Sequence, residues 1–220
     1  YYADYIADFE AVQSPEHLAT RRRAKDSHLA LIERYRQPGR LLSIGSGDGT
    51  ELRVARVRGW DVVGYDVDEP TTSRLSAQIG AVIHSGDLFS VPFDEGAFDC
   101  VFMDQVLEHP KDPGRYLQLA HRVLRPGGVL FLGVPNTGSI SSRMKTWLGR
   151  VGLKRRRGKH YDTWHHLFYY TPGSLRTVLE RYYGFRVALI EGDPKPASAD
   201  SRLAAIREVQ PAADYIARLA

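Results

Sequence analysis

The stretch Arg40-Leu41-Leu42-Ser43-Ile44-Gly45-Ser46-Gly47-Asp48-Gly49-Thr50 decides how the rest of the chain is read. An apolar run of strand length, 41–44, leads into three glycines at alternate positions, and an amphipathic stretch over 50–58 follows at once. Glycines let the backbone approach a ligand closely, and a helix N-terminus offers unpaired N–H groups at the positive end of its dipole. Strand, glycine turn and helix in this order describe a nucleotide-type binding turn. A dinucleotide fingerprint needs glycine at its sixth position, where this chain has Thr50. No Tyr-x-x-x-Lys pair appears either, so a nicotinamide-dependent oxidoreductase is disfavoured.

Downstream of this turn the pattern repeats. Short apolar runs at 62–65, 81–84, 98–103 and 129–134 alternate with helical stretches at 71–79 and 114–124. Several runs are apolar on both faces, as buried parallel strands are. Strands alternating with helices imply right-handed crossovers and a doubly wound, mostly parallel α/β sheet with helices on both faces. Residues 1–39 form an N-terminal helical cap, with Ile6, Phe9 and Val12 three apart and a second apolar group at Leu29, Leu31, Ile32 and Tyr35. The core runs over 40–191. It is interrupted at about 137–170 by an insert long enough to be a lid or substrate loop, and resumes with a helix at 173–183 and a strand at 185–190. A tail, 192–220, is rich in Pro, Ala and charge, with a helix around 201–209 and no convincing further strand.

Composition bounds the classes. The 220 residues are 43% hydrophobic and 25% charged, which excludes a disordered or collagen-like chain. The single cysteine, Cys100, excludes a disulfide framework and a multi-cysteine zinc site, and its apolar strand context makes it a core residue. No apolar run approaches 18 residues and no basic-then-apolar leader is visible, so the expected location is cytoplasmic.

Further along the chain the candidate site residues fall at strand ends. Asp66 closes the second strand, where a carboxylate can accept from both ribose hydroxyls; the competing reading is a solvated turn acid beside Asp68 and Glu69. Asp87, in Gly86-Asp87-Leu88, could accept from an adenine amino group or simply cap a helix. Then come Phe98-Asp99-Cys100-Val101, Val106-Leu107-Glu108-His109 and Arg125-Pro126-Gly127-Gly128. Together, in this order and spacing, the set resembles the class I S-adenosylmethionine-dependent methyltransferases over about residues 40–190. It is closest to the small-molecule branch that includes the ubiquinone-biosynthesis O-methyltransferases. The segment His165-His166-Leu167-Phe168-Tyr169-Tyr170-Thr171-Pro172 also looks like a motif of that branch.

The resemblance implies a Rossmann-like sheet with an inserted lid, and S-adenosyl-L-methionine as cofactor, leaving as S-adenosyl-L-homocysteine. Gly45, Ser46, Gly47 and Gly49 would pass the methionine part. Asp66 with Val67 would hold the ribose, Asp87 with Leu88 the adenine, and Met103, Asp104 and Gln105 would line the transfer site. Two departures stand out: Ser43 occupies the place where the motif usually opens with an acid, and the antiparallel closing strand is missing.

Methyl transfer from a sulfonium is an in-line displacement, so positioning supplies much of the catalysis, and a base is needed only to strip a proton from the nucleophile. His109 is the first candidate base, His165 and His166 the next, with Tyr161 and Tyr169 behind them; each histidine competes with a capping or core role. Quinone-type relatives are similar in a Glu-Val-Leu-Glu-His run that holds a divalent cation. Here Gln105 replaces the first carboxylate, so no metal is expected. A cysteine-nucleophile mechanism is disfavoured with Cys100 in the core.

The net charge of +4 is uneven. Residues 143–159 carry eight Lys or Arg and no acid, with Ile140, Met144, Trp147, Leu148 and Val151 at helical spacing. The other 22 basic residues are outnumbered by the 26 acidic ones. Such a segment at 140–159 can cover an anionic or lipid-linked acceptor, lie peripherally on a membrane, or simply pack as a lid. A small-molecule, sugar or lipid-linked acceptor methylated at oxygen is the reading these features favour. An RNA methyltransferase, disfavoured by the lack of an RNA-binding module, and a non-catalytic S-adenosylmethionine-binding module are the alternatives.

Overall fold

The computed structural model describes residues 14–137, 166–193, 202–207 and 214–219. Helix α1 (Pro15–Glu33) opens the described chain, with Pro15 in its first turn and the Ser14 side chain accepting from His17 N–H at 3.3 Å. The expected spacing of Ile6, Phe9 and Val12 lies outside the described residues. There follow β1 (Arg40–Ile44), α2 (Thr50–Val57), β2 (Asp61–Tyr65), α3 (Glu69–Ile79) and β3 (Val82–His84). A short 3₁₀ turn (Leu88–Ser90) leads to β4 (Phe98–Asp104), α4 (Pro113–Val123) and β5 (Leu124–Val134). Strands β1 to β5 pair in parallel in the order β3-β2-β1-β4-β5, as the alternation predicts. Strand order reverses between β1 and β4. In an open α/β sheet, that reversal opens a crevice at the strands' C-terminal ends.

The sheet is covered on both faces because side chains alternate along each strand. Leu41, Cys100, Phe102, Val129 and Phe131 pack against α1, α2 and α3. Leu42, Val101, Met103, Leu130 and Leu132 pack against α4 and the last helix. Phe102 and Phe131 stack at 4.5 Å between ring centres, and Cys100 is fully buried, as expected of a core residue.

Beyond β5 the structure departs from the pattern. The expected helix at 173–183 is present over 172–182, as α5 (Pro172–Thr177) continued by a π-helical turn (Val178–Tyr182), while β6 (Arg186–Asp193) extends past the expected strand. In place of a helix around 201–209 there is a strand, β7 (Arg202–Arg207), antiparallel to β6. A further strand, β8 (Asp214–Leu219), joins β5 and β6 in parallel. Six-residue segments are short for helices, and strands of this length are defined by the edge they pair with, which the local sequence does not specify. The insert leaves and returns at one place: Thr137 N–H donates to Tyr170 O at 3.1 Å beside the end of β5. The cationic stretch 143–159, and His165 with Tyr161, lie outside the described residues. Among the described residues no helix is long and apolar enough to cross a membrane.

Candidate functional site

The turn after β1 is built on alternate left-handed glycines: φ is +78° at Gly45, +48° at Gly47 and +70° at Gly49. The N–H groups of Gly45 and Ser46 donate to Tyr65 O at 2.8 and 3.0 Å, tying the turn to the end of β2. A Cβ on Gly45 would lie 2.5 Å from Val106 Cγ2, whereas one on Gly47 would meet nothing within 4 Å and would fill open space instead. Glycine at 47 therefore keeps room for a ligand against bare backbone. Asp66, the buried residue after β2, accepts from Gly47 N–H at 2.7 Å and from Asp68 N–H at 3.3 Å.

These groups line a cavity of about 780 Å³ at the C-terminal ends of β1, β2 and β4. Of the residues anticipated from sequence, it gathers Gly45, Ser46, Gly47, Asp66, Val67, Asp104, Gln105, His109 and His166. Gln105 adopts φ +60°, strained for a side chain with a Cβ, and is held there by its N–H to Gly133 O at 2.7 Å. Gly49 caps α2 beneath the cavity. Met103 and Leu88 are buried in the core, and Asp87 is not among the lining residues, although it acts on Tyr65 and Tyr116, which are. The Asp87 carboxylate caps the 3₁₀ turn, accepting from Phe89 N–H at 3.1 Å and Ser90 Oγ at 2.7 Å, and these bonds hold it below the ordinary carboxylate range.

Sequence reasoning missed the wall of the cavity that α1 supplies. Arg21, Lys25 and His28 follow i, i+4, i+7 spacing and all face the cavity. That spacing was visible, but nothing local tied it to the glycine turn. Lys25 Nζ lies 2.8 Å from Asp104 Oδ2, and Arg21 Nη1 lies 3.0 Å from Asp48, so two ion pairs pin the helix over the crevice. His28 is buried against Phe131, 4.9 Å between ring centres, with Nδ1 3.8 Å from Asp104. Glu51, in the first turn of α2, also lines the cavity. Ser43 Oγ donates to its Oε1 at 2.9 Å, and burial pushes its carboxyl up to about 7 against the opposing pull of Lys25.

At the other end Glu108, His109 and His166 converge, each with a potential ligand atom within 4.8 Å of the others. Leu167 and Phe168 N–H groups both donate to Glu108 O, at 2.8 and 3.1 Å, which brings the segment after the insert back onto the loop after β4. Tyr170 Oη donates to Leu107 O at 3.2 Å. The Glu108 side chain is fully buried, and neither of its oxygens has a hydrogen bond among the described residues. Burial pushes its carboxyl up to about 8. His109 Nε2 is 3.9 Å from Glu108 Oε1, and its ring meets His166 edge-on at 4.9 Å. A half-exposed imidazole backed by a carboxyl that titrates near neutrality is suited to taking up a proton inside the cavity.

Comparison with known proteins bears on the family and the fold. Residues 16–189 match the family described as "Methyltransferase domain". A protein of Mycolicibacterium smegmatis named "Probable S-adenosylmethionine-dependent methyltransferase" is 35% identical over 109 residues, 49% of this chain and 42% of that protein. The ubiquinone biosynthesis O-methyltransferase of Pseudomonas aeruginosa is 31% identical over 103 residues, 44% of each chain. This chain thus spans about a third to a half of the length of the curated relatives it matches. The fold is shared with the 1,6-didemethyltoxoflavin-N1-methyltransferase of Burkholderia thailandensis, whose crystal structure holds 1,6-didemethyltoxoflavin and S-adenosylhomocysteine. The TM-score is 0.64 at 20% identity, covering 93% of this chain and 87% of that one.

Proposed function

This chain belongs to the Methyltransferase domain family and uses S-adenosylmethionine, and from that premise we propose that it methylates an oxygen of a small-molecule acceptor. The observation that carries the proposal is one cavity with two chemically different ends: a glycine turn beside the buried Asp66, and the Glu108–His109–His166 group. The donor set fits the cofactor. Open space over Gly47 accommodates an extended ligand against the backbone, Asp66 suits a ribose diol, and cations and a carboxyl on the opposite wall suit an amino-acid zwitterion. When bound, the cofactor supplies an activated methyl group on a sulfonium.

The protein's own task is then to orient and to manage one proton. Backbone at Gly45–Gly47 runs along the methionine part and the Asp66 carboxylate fixes the ribose, so the acceptor approaches from the His109 side. His109 takes the hydroxyl proton as the oxygen attacks and later releases it to water from its exposed side, and the Glu108 carboxyl, 3.9 Å from Nε2, stabilises the charged imidazole when ionised. His166 borders the acceptor position, with the Tyr169 ring edge-on to it at 6.3 Å between centres.

The test is transfer of radiolabelled methyl from S-adenosylmethionine to a panel of phenols, amines and total tRNA. Label on phenolic oxygen is expected. His109→Ala should lower turnover by about 10²–10⁴-fold while leaving S-adenosylhomocysteine affinity unchanged. Label confined to tRNA would establish the RNA methyltransferase instead, and no cofactor binding at millimolar concentration would remove the enzymatic reading altogether.

A further inference from the structure

We propose that Glu51 is the ammonium-binding residue of this site: its carboxylate, held by Ser43 at the foot of the glycine turn, receives the α-ammonium of the cofactor's amino-acid end. The inference rests on the S-adenosylmethionine reading above and adds to it a residue and a charge. Glu51 is only 4% exposed, and the little surface it has lies on the cavity wall. Oε1 accepts from the Ser43 hydroxyl at 2.9 Å, and the residue's own backbone N–H also bears on the carboxyl, so its donors are one hydroxyl and one amide and neither carries charge. A carboxylate buried on a ligand cavity with only neutral donors is costly to ionise unless a cation completes it. The protein's own cations near it are otherwise engaged: Lys25 pairs with Asp104 and Arg21 with Asp48.

The position is also right for the purpose. Glu51 sits one residue into α2, just after the glycine turn, while Asp66 lies across the turn, directly after β2. A ligand whose ribose meets Asp66 therefore extends its other end past Gly47 towards Glu51 and the α1 wall. The groups facing Glu51 are Lys25 and Arg21 from α1, Asp48 from the turn and Ser43 from β1, with Asp66 and Asp104 farther round the cavity. Burial holds the empty carboxyl near neutrality in its titration, so an arriving ammonium displaces a proton.

Calorimetry tests this with two probes, S-adenosylhomocysteine and 5′-methylthioadenosine, which shares the nucleoside thioether but lacks the amino-acid end. Glu51→Gln should weaken S-adenosylhomocysteine about 10- to 100-fold and leave 5′-methylthioadenosine within about twofold, the retained nucleoside binding showing that the variant is folded. In wild type near pH 7, the heat of S-adenosylhomocysteine binding should vary with the buffer's ionisation enthalpy, and in Glu51→Gln that dependence should vanish. Because Ser43 Oγ lies 2.9 Å from Glu51 Oε1, Ser43→Asp added to Glu51→Gln places a carboxylate near the same point and should recover much of the affinity. Wild-type affinity in Glu51→Gln, or equal loss of both probes, overturns the assignment of Glu51 alone. Failure of wild type to bind either probe overturns the cofactor reading and this inference with it.

Discussion

Replacing Gly45 by Ala asks how firmly the turn after β1 is clamped by the loop after β4. Two costs are readable from the geometry. At φ +78° an L-residue pays about 1–2 kcal/mol for the left-handed backbone. The new Cβ would also stand 2.5 Å from Val106 Cγ2, and overpacking of this kind costs about 1–3 kcal/mol. Val106 is β-branched, so its methyl cannot swing aside without leaving its rotamer. The sum, about 2–5 kcal/mol, corresponds to a fall in Tm of about 4–20 °C for a domain of this size. Val106→Ala alone should cost about 1–2 kcal/mol, since the side chain is only partly buried. The double variant removes the overlap and keeps the backbone strain, so the two losses should fall short of additivity by about 1–3 kcal/mol. Denaturant unfolding of wild type, both single variants and the double variant closes the cycle. Additivity within about 0.5 kcal/mol would refute the clamp, because residues that do not touch add within that margin.

Asp66→Ala should weaken S-adenosylhomocysteine at least tenfold by calorimetry, as a charge-assisted pair to a diol is lost; unchanged affinity would mean that the ribose lies elsewhere. Glu108 gives a pH signature of known sign. Below its ordinary value of 4.5 the carboxyl is protonated in both folded and unfolded chains. Between 4.5 and about 8 the unfolded chain ionises and the folded one resists. The stability is thus fully present at low pH and lost as pH rises through about 8. Glu51, raised to about 7, acts in the same direction. Glu108→Gln should therefore flatten the decline of Tm between pH 5 and 8, and an unchanged slope would show that Glu108 ionises freely in the folded protein.

Legibility in the sequence followed the range of the interaction. Strands β1 to β5 and the helices between them were read closely because period-two and period-3.6 burial is written in consecutive residues. The nucleotide-type turn was read for the same reason: left-handed backbone at Gly45, Gly47 and Gly49 requires glycine at those positions, and no distant partner is needed to see it. Asp66 came with its place at the end of β2. The reading of Asp87 left two roles open, and the structure gives its carboxylate a cap.

The α1 wall, the Ser43–Glu51 bond and the union of Glu108 and His109 with His166 were decided only in three dimensions. Each joins segments whose separation along the chain is set by crossovers and by packing against the sheet. Lys25 meets Asp104 because both layers close on Phe102 and Phe131, and His166 reaches His109 because the chain on either side of the insert is fastened at Asn136 and Tyr170. Strands β7 and β8 belong here too, since a six-residue strand is chosen by the edge that receives it. The sequence by itself determined the sheet, its order of elements and the ligand-facing turn, because steric rules for glycine and the periodicity of burial are local. Tertiary structure alone decided which charges surround that turn, because electrostatic partners are selected by proximity in space.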